Sequence, residues 1–114
     1  MAFDPFAEFR MDGHTVLITG GAQNIGAGIA KTLSGAGARV MIADLDGEMA
    51  AGTAARIAGE TGNDCRGMAC DVTDKGQIDA AVAATAEAFG GISTLVNNVG
   101  WGGRQPDPAA IPEE

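Results

Sequence analysis

The stretch TVLITGGAQNIGAGIAKTL, residues Thr15–Leu33, decides the fold. Its first five residues are β-branched or apolar, the habit of a strand buried on both faces. A glycine pair follows at once, and from Ile25 the apolar residues recur at helical spacing up to Ser34, where Gly35-Ala36-Gly37 ends the helix. A strand that turns through glycines straight into a helix is the opening of a βαβ unit.

Working outward, the same rhythm repeats. Arg39–Asp44 (RVMIAD) is a second strand, and Asp46 can cap a second helix that runs through an alanine-rich segment to about Glu60, with Gly62 at its exit. Cys65–Cys70 makes a third, less hydrophobic strand. A third helix follows, with Ile78, Ala81, Val82, Thr85 and Phe89 on one face and Asp79, Ala83 and Glu87 facing away. Asp74 with Gln77 suggests a capping box, and Gly90-Gly91 stops the helix. Ile92–Asn97 (ISTLVN) is a fourth strand, expected to stand as an apolar edge. The reading is an α/β fold: a Rossmann-type doubly wound parallel sheet, truncated to about four strands and three helices with right-handed crossovers. Residues 1–13 form an N-terminal arm whose Phe3, Phe6 and Phe9 are expected to pack on the domain. Residues 14–103 form a dinucleotide-binding βαβ half, in which Trp101 reads as a packing residue with the lining of a substrate cleft as the alternative, and 104–114 a proline-rich loop.

In an open parallel sheet, ligands bind outside the carboxyl ends of the strands. The unusual residues of this chain gather there. Thr19-Gly20-Gly21 follows the first strand, Asp44 closes the second, Asp71-Val72 follows the third, and Asn97-Asn98-Val99-Gly100 closes the fourth. No cationic side chain neighbours the first turn in sequence, so a diphosphate there would be held by backbone N–H groups and the positive end of the first helix. Gly20 is expected to make the tight turn, Gly26 to allow close approach, and Gly28 to pack helix on strand. Asp44 lies 18 residues beyond Gly26, near the spacing at which a carboxylate grips a ribose diol and repels a 2′-phosphate. That favours NAD over NADP. The bland alternative is that Asp44 caps the turn that follows it.

Composition narrows the remaining classes. The 114 residues carry a formal net charge of −8 and are 46% apolar, which fits a single domain and disfavours nucleic acid or an anionic membrane as a partner. No apolar run approaches the ~20 residues of a membrane span, and the acidic N-terminus lacks a secretory pattern, so a cytoplasmic address is expected. Cys65 and Cys70 should point to opposite faces of their strand and serve as core filler; with one histidine and no Cys-x-x-Cys pair, no metal site is expected. His14 opens the first strand at the end away from the turn, and Lys31 and Lys75 should meet solvent. A flavodoxin-like or receiver reading fails because no acidic cluster follows the first strand.

Taken together these stretches resemble the short-chain dehydrogenase/reductases. Thr19–Gly26 is similar to their T-G-x-x-x-G-x-G turn, with Asn24 at the middle glycine; asparagine tolerates left-handed backbone better than other side chains. Asp71-Val72 resembles the family's adenine-contacting pair, and Asn97–Gly100 its N-N-A-G motif with Val99 for alanine. The resemblance covers about residues 11–103 and implies a cofactor-binding set of Thr19, Gly20, Gln23, Asn24, Ile25, Gly26, Asp44, Leu45, Asp71, Val72, Asn98, Val99 and Gly100. It also implies NAD(H) as cofactor, a small-molecule alcohol or ketone as substrate, and a homo-oligomer. The family's later Tyr-x-x-x-Lys helix, with its serine and asparagine, has no counterpart here, since the chain contains no tyrosine. No catalytic residue is therefore assigned. The expectation is the cofactor-binding half of an NAD-dependent oxidoreductase, inactive alone; the alternative is a non-catalytic nucleotide-binding or dimerisation fragment.

Overall fold

The computed structural model describes residues 9–98. The elements run β1 (Thr15–Thr19), α1 (Asn24–Gly35), β2 (Arg39–Asp44), α2 (Gly47–Thr61), β3 (Cys65–Ala69), α3 (Lys75–Phe89) and β4 (Thr94–Asn97). All pairings are parallel and the sheet order is β3-β2-β1-β4. The predicted order and strand–helix alternation hold throughout. The third strand ends one residue early, at Ala69, and the fourth begins two residues late, at Thr94.

Alternating side chains split the core into two layers. Val16, Ile18, Val40 and Ile42 pack with Ala30, Ala50, Ala54 and Ile57 beneath α1 and α2. Leu17, Met41 and Ala43 pack with Ala81 and Phe89 beneath α3 on the other face. Full burial of each large side chain contributes about 1.5–3 kcal/mol. The two cysteines fall in opposite layers, Cys65 in the first and Cys70 in the second, both buried and unbridged. Burial pushes the Cys65 thiol up to about 11 and also raises Cys70. Neither thiol is expected to react with an aromatic disulfide reagent at neutral pH until the chain is unfolded in denaturant, a difference that absorbance at the released thiolate would show.

The weak hydrophobicity of β3 has a packing cause. Cys65, Gly67 and Ala69 face α2, and a Cβ at Gly67 would overlap the backbone of Ala50, while one at Gly47 would come within 2.8 Å of Ala69 Cβ. Helix and strand approach so closely that only the smallest residues fit. On the other face, the guanidinium groups of Arg66 and Arg39 lie 5.3 and 6.0 Å from the centre of the Phe89 ring.

Helices α2 and α3 are capped as expected. Asp46 accepts from Met49 N, and Asp74 accepts from Gly76 N and Gln77 N. Gly62 and Gly90 close them in left-handed conformation. Gln77 does not complete a reciprocal box: its Oε1 accepts from Asp71 N at 2.8 Å instead. Asp74→Ala is expected to lower stability by about 1 kcal/mol, measurable by urea denaturation.

Three expectations about packing are corrected. Ile78 and Val82 are 37% and 42% exposed, because α3 rests on the sheet through the ridge Ala81, Thr85, Phe89 and nothing among the described residues covers the rest of its apolar arc. Phe9 is 71% exposed and leaves the layer to Met11, which packs against the first core cluster; Phe3 and Phe6 lie outside the described residues. Gly28 does not mediate helix-on-strand contact. The buried residues of α1 are Gly26, Ala30 and Ser34, four apart, with Ala30 in the first core cluster, whereas a Cβ at Gly28 would meet open space. Among the described residues β4 stands at the edge of the sheet, as expected, and its Leu95 is 63% exposed.

Candidate dinucleotide-binding site

Because the chain leaves β1 for β2 through α1 on one face and reaches β4 from β3 through α3 on the other, the strand order reverses between β1 and β4. Ligands of open parallel sheets bind outside the carboxyl ends at such a reversal, and the glycine turn sits at that end of β1. Gly20 adopts φ 71° and Asn24 φ 56°, the latter alone among described non-glycine residues in the left-handed region. This is the tolerance expected of asparagine at the family's middle glycine position.

Gly26 is where close approach is enforced. A Cβ there would overlap the Gly20 carbonyl oxygen and lie 2.7 Å from Asn98 Nδ2 and 2.9 Å from Gly21 Cα. Gly21, which the sequence places in the turn without a role of its own, sits on the core: its Cβ would lie 3.0 Å from the Cγ2 atoms of both Ile18 and Ile42. The first turn of α1 is set by this packing and not by a cap. Its N-cap residue Gln23 makes no side-chain cap bond and no acidic residue occupies the first turn, in contrast to α2 and α3. Amides at that end are thus left for an anion, and Gln23, Asn24 and Ile25 are exposed around them. A diphosphate fits this cradle.

Asp44 stands beside it, half-buried. One carboxylate oxygen accepts from Ala22 N at 3.2 Å and the other from Asp46 N at 3.1 Å. The capping role is therefore real, and it coexists with lone pairs left over on each oxygen. Leu45, next along, is 75% exposed at the mouth. Thr53 completes the arrangement from α2: its hydroxyl donates to the Ala22 carbonyl at 2.6 Å within the buried interior. The sequence held a signal for Thr53 that was not used, a hydroxyl on the otherwise apolar stripe Ala50, Ala54, Ile57.

The other two strand ends lie on the same rim. Asp71 Oδ1 accepts from both the hydroxyl and the amide of Thr73, bonds that hold its carboxyl below the usual 3.8. Val72 is half-buried and packs against the second core cluster, so its side chain supports the rim rather than reaching over it. At β4, Thr19 donates its hydroxyl to Asn97 Oδ1 at 3.0 Å, Asn98 N donates to Thr19 O, and Asn98 Nδ2 donates to Gly20 O at 3.2 Å. Thr19 and Asn98 therefore spend these groups on joining the turn to β4. Val99, Gly100 and Trp101 lie outside the described residues.

The remaining side chains considered in the sequence are remote or engaged elsewhere. His14 Nδ1 meets Ser93 Oγ at 3.0 Å at the amino end of β1. Lys31 pairs with Glu60 and Lys75 with Asp79 on the exposed surface. Among the described residues no cluster of His, Cys, Asp or Glu could hold a metal ion, and no helix is long and apolar enough to cross a membrane.

Residues 14–114 match the family model for short chain dehydrogenase. The chain is 45% identical over 93 residues to D-threitol dehydrogenase of Mycolicibacterium smegmatis, covering 82% of this chain and 35% of that one. It is 46% identical over 89 residues to galactitol 2-dehydrogenase of Agrobacterium fabrum, covering 78% and 33% respectively. Among solved structures, a hydroxysteroid dehydrogenase from Escherichia coli superposes with a TM-score of 0.83 at 32% identity, over 94% of this chain and 44% of that one. The Pseudomonas aeruginosa RhlG/NADP active-site complex gives 0.76 at 34% identity, over 87% and 38%. The chain spans about a third of the length of these curated relatives.

Proposed function

This chain belongs to the short-chain dehydrogenase family, and from that premise we propose that it supplies the NAD-binding half of an oxidoreductase interconverting a secondary alcohol and a ketone. The observation that carries the choice of NAD is Asp44: a carboxylate pinned at the rim by two backbone amides, next to an uncapped helix end. Facing a ribose, it would accept hydrogens from the 2′- and 3′-hydroxyls, and it would repel a 2′-phosphate. The amides from Asn24 to Gly26 would hold the diphosphate. Asp71 would accept from the adenine amine while the Val72 amide meets the ring, and Asn98, Val99 and Gly100 would flank the nicotinamide-side ribose. Thr19, Gln23, Ile25 and Leu45 would line the same cleft.

The nicotinamide, when bound, accepts or donates the hydride. The tasks left to this chain are to bind, orient and select the dinucleotide. The tyrosine that the family resemblance assigns to proton transfer has no counterpart in these 114 residues. The names of the threitol and galactitol relatives support an alcohol as the substrate class. Calorimetric titration of the 114-residue chain with NAD, NADP and ADP-ribose tests the proposal. NAD and ADP-ribose should bind with similar affinity and NADP more weakly; tighter binding of NADP would overturn the assignment to NAD, and no binding of any of the three would overturn the site.

A further inference from the structure

We infer that Thr53, on the far side of the turn from the ligand, is a positioning residue that sets both the shape of the diphosphate cradle and the aim of the Asp44 carboxylate. The inference rests on the dinucleotide site proposed above.

Residue Ala22 is held at both ends. Its carbonyl accepts from Thr53 Oγ1 at 2.6 Å, and its amide donates to Asp44 Oδ2 at 3.2 Å. Thr53 is only 8% exposed and Ala22 3%, so water does not compete for these groups. The chain of contacts then closes on itself. Asp44 Oδ1 accepts from Asp46 N, Asp46 caps α2 through Met49 N, and α2 carries Thr53 back to Ala22. Five residues, Ala22, Asp44, Asp46, Met49 and Thr53, are thus joined in one ring by four hydrogen bonds and the backbone of α2, and Ala22 is the member next to Gln23, the N-cap of α1.

Two consequences follow for a ligand. The first-turn amides of α1 point where the Ala22–Gln23 peptide places them, and Thr53 grips the carbonyl of that very peptide. A carboxylate tied through both oxygens cannot rotate freely, so its remaining lone pairs keep a fixed direction toward the mouth. Threonine does this from the middle of an apolar stripe, where alanine or valine would serve packing as well. Its hydroxyl is present for the Ala22 carbonyl.

The test compares Thr53→Val, which keeps the shape and removes the donor, with Thr53→Ser, which restores it. In the 114-residue chain, T53V should speed hydrogen exchange at the Ala22 amide about tenfold and weaken NAD and ADP-ribose about five- to tenfold. Binding of NADP, which gains nothing from a correctly aimed carboxylate, should fall less, so the NAD-over-NADP ratio should shrink. T53S should return all three readouts to within about twofold. A loss shared equally by NAD and NADP, or an unchanged Ala22 exchange rate in a folded T53V, would overturn the inference while leaving the site intact. Should T53V not fold, Thr53→Cys, with its weak donor, carries the same comparison. If the unsubstituted chain binds neither NAD nor ADP-ribose, the dinucleotide reading itself falls, and this inference with it.

Discussion

Gly26→Ala is expected to abolish measurable dinucleotide binding and to lower the stability of the chain by about 1–3 kcal/mol, the cost of forcing an atom into filled space. Each neighbour that the new methyl would meet is awkward to move. The Gly20 carbonyl is backbone of the left-handed turn, Gly21 Cα is fixed against Ile18 and Ile42, and Asn98 Nδ2 is already bonded to Gly20 O. Relief would require α1 to lift from the turn, taking its first-turn amides with it. Gly28→Ala, two residues on, is the control. That position is exposed, helical and faces nothing within 4 Å, so alanine should stabilise by about 0.5–1 kcal/mol through helix propensity. Urea denaturation of both variants, with calorimetry against NAD, separates the two. Equal stability for G26A and G28A would contradict the packing described here.

Asp44→Ala is expected to weaken NAD by about 2 kcal/mol, roughly thirtyfold, as two charge-assisted bonds to a ribose are lost. NADP should be affected in the opposite sense or scarcely at all, since the repulsion of its 2′-phosphate goes at the same time. Asp44→Asn divides the effect. It can still accept from one of the two amides now bound, yet it carries no charge, so it should keep the fold of the turn while narrowing the gap between NAD and NADP. Parallel titrations of the three proteins with both cofactors check this. Retention of full NAD selectivity by D44A would remove Asp44 from the site.

Much of this arrangement was legible before any coordinates, for physical reasons that can be named. Parallel strands buried on both faces need unbroken apolar runs, so Val16–Ile18 and Val40–Ala43 stood out. Asp46 and Asp74 announced two helix starts because a carboxylate before a helix has few other uses. Strand β3 was fainter, since its α2-facing positions are small to admit the helix and its other face carries Arg66. Gly28 was misassigned because glycines in a turn-to-helix segment look alike in sequence, while only the phase of α1 tells which faces the sheet. Ile78 and Val82 showed helical period correctly, but a period cannot say what covers an apolar face. The hydroxyl of Thr53 on an apolar stripe marked the residue but not its role, because its partner is a backbone carbonyl, a group present at every position.

The bond from Asn98 to Gly20 spans 78 positions, nearly the whole described chain. Closing so long a loop is entropically late and kinetically slow. The turn can form locally with β1 and α1, but its carbonyl has no anchor until β4 has docked beside β1. During synthesis, a nascent chain whose β4 is still within the ribosome would hold an unfinished turn. If the proposed dinucleotide site is right, cofactor added to refolding protein would time the docking of β4, not the initial collapse.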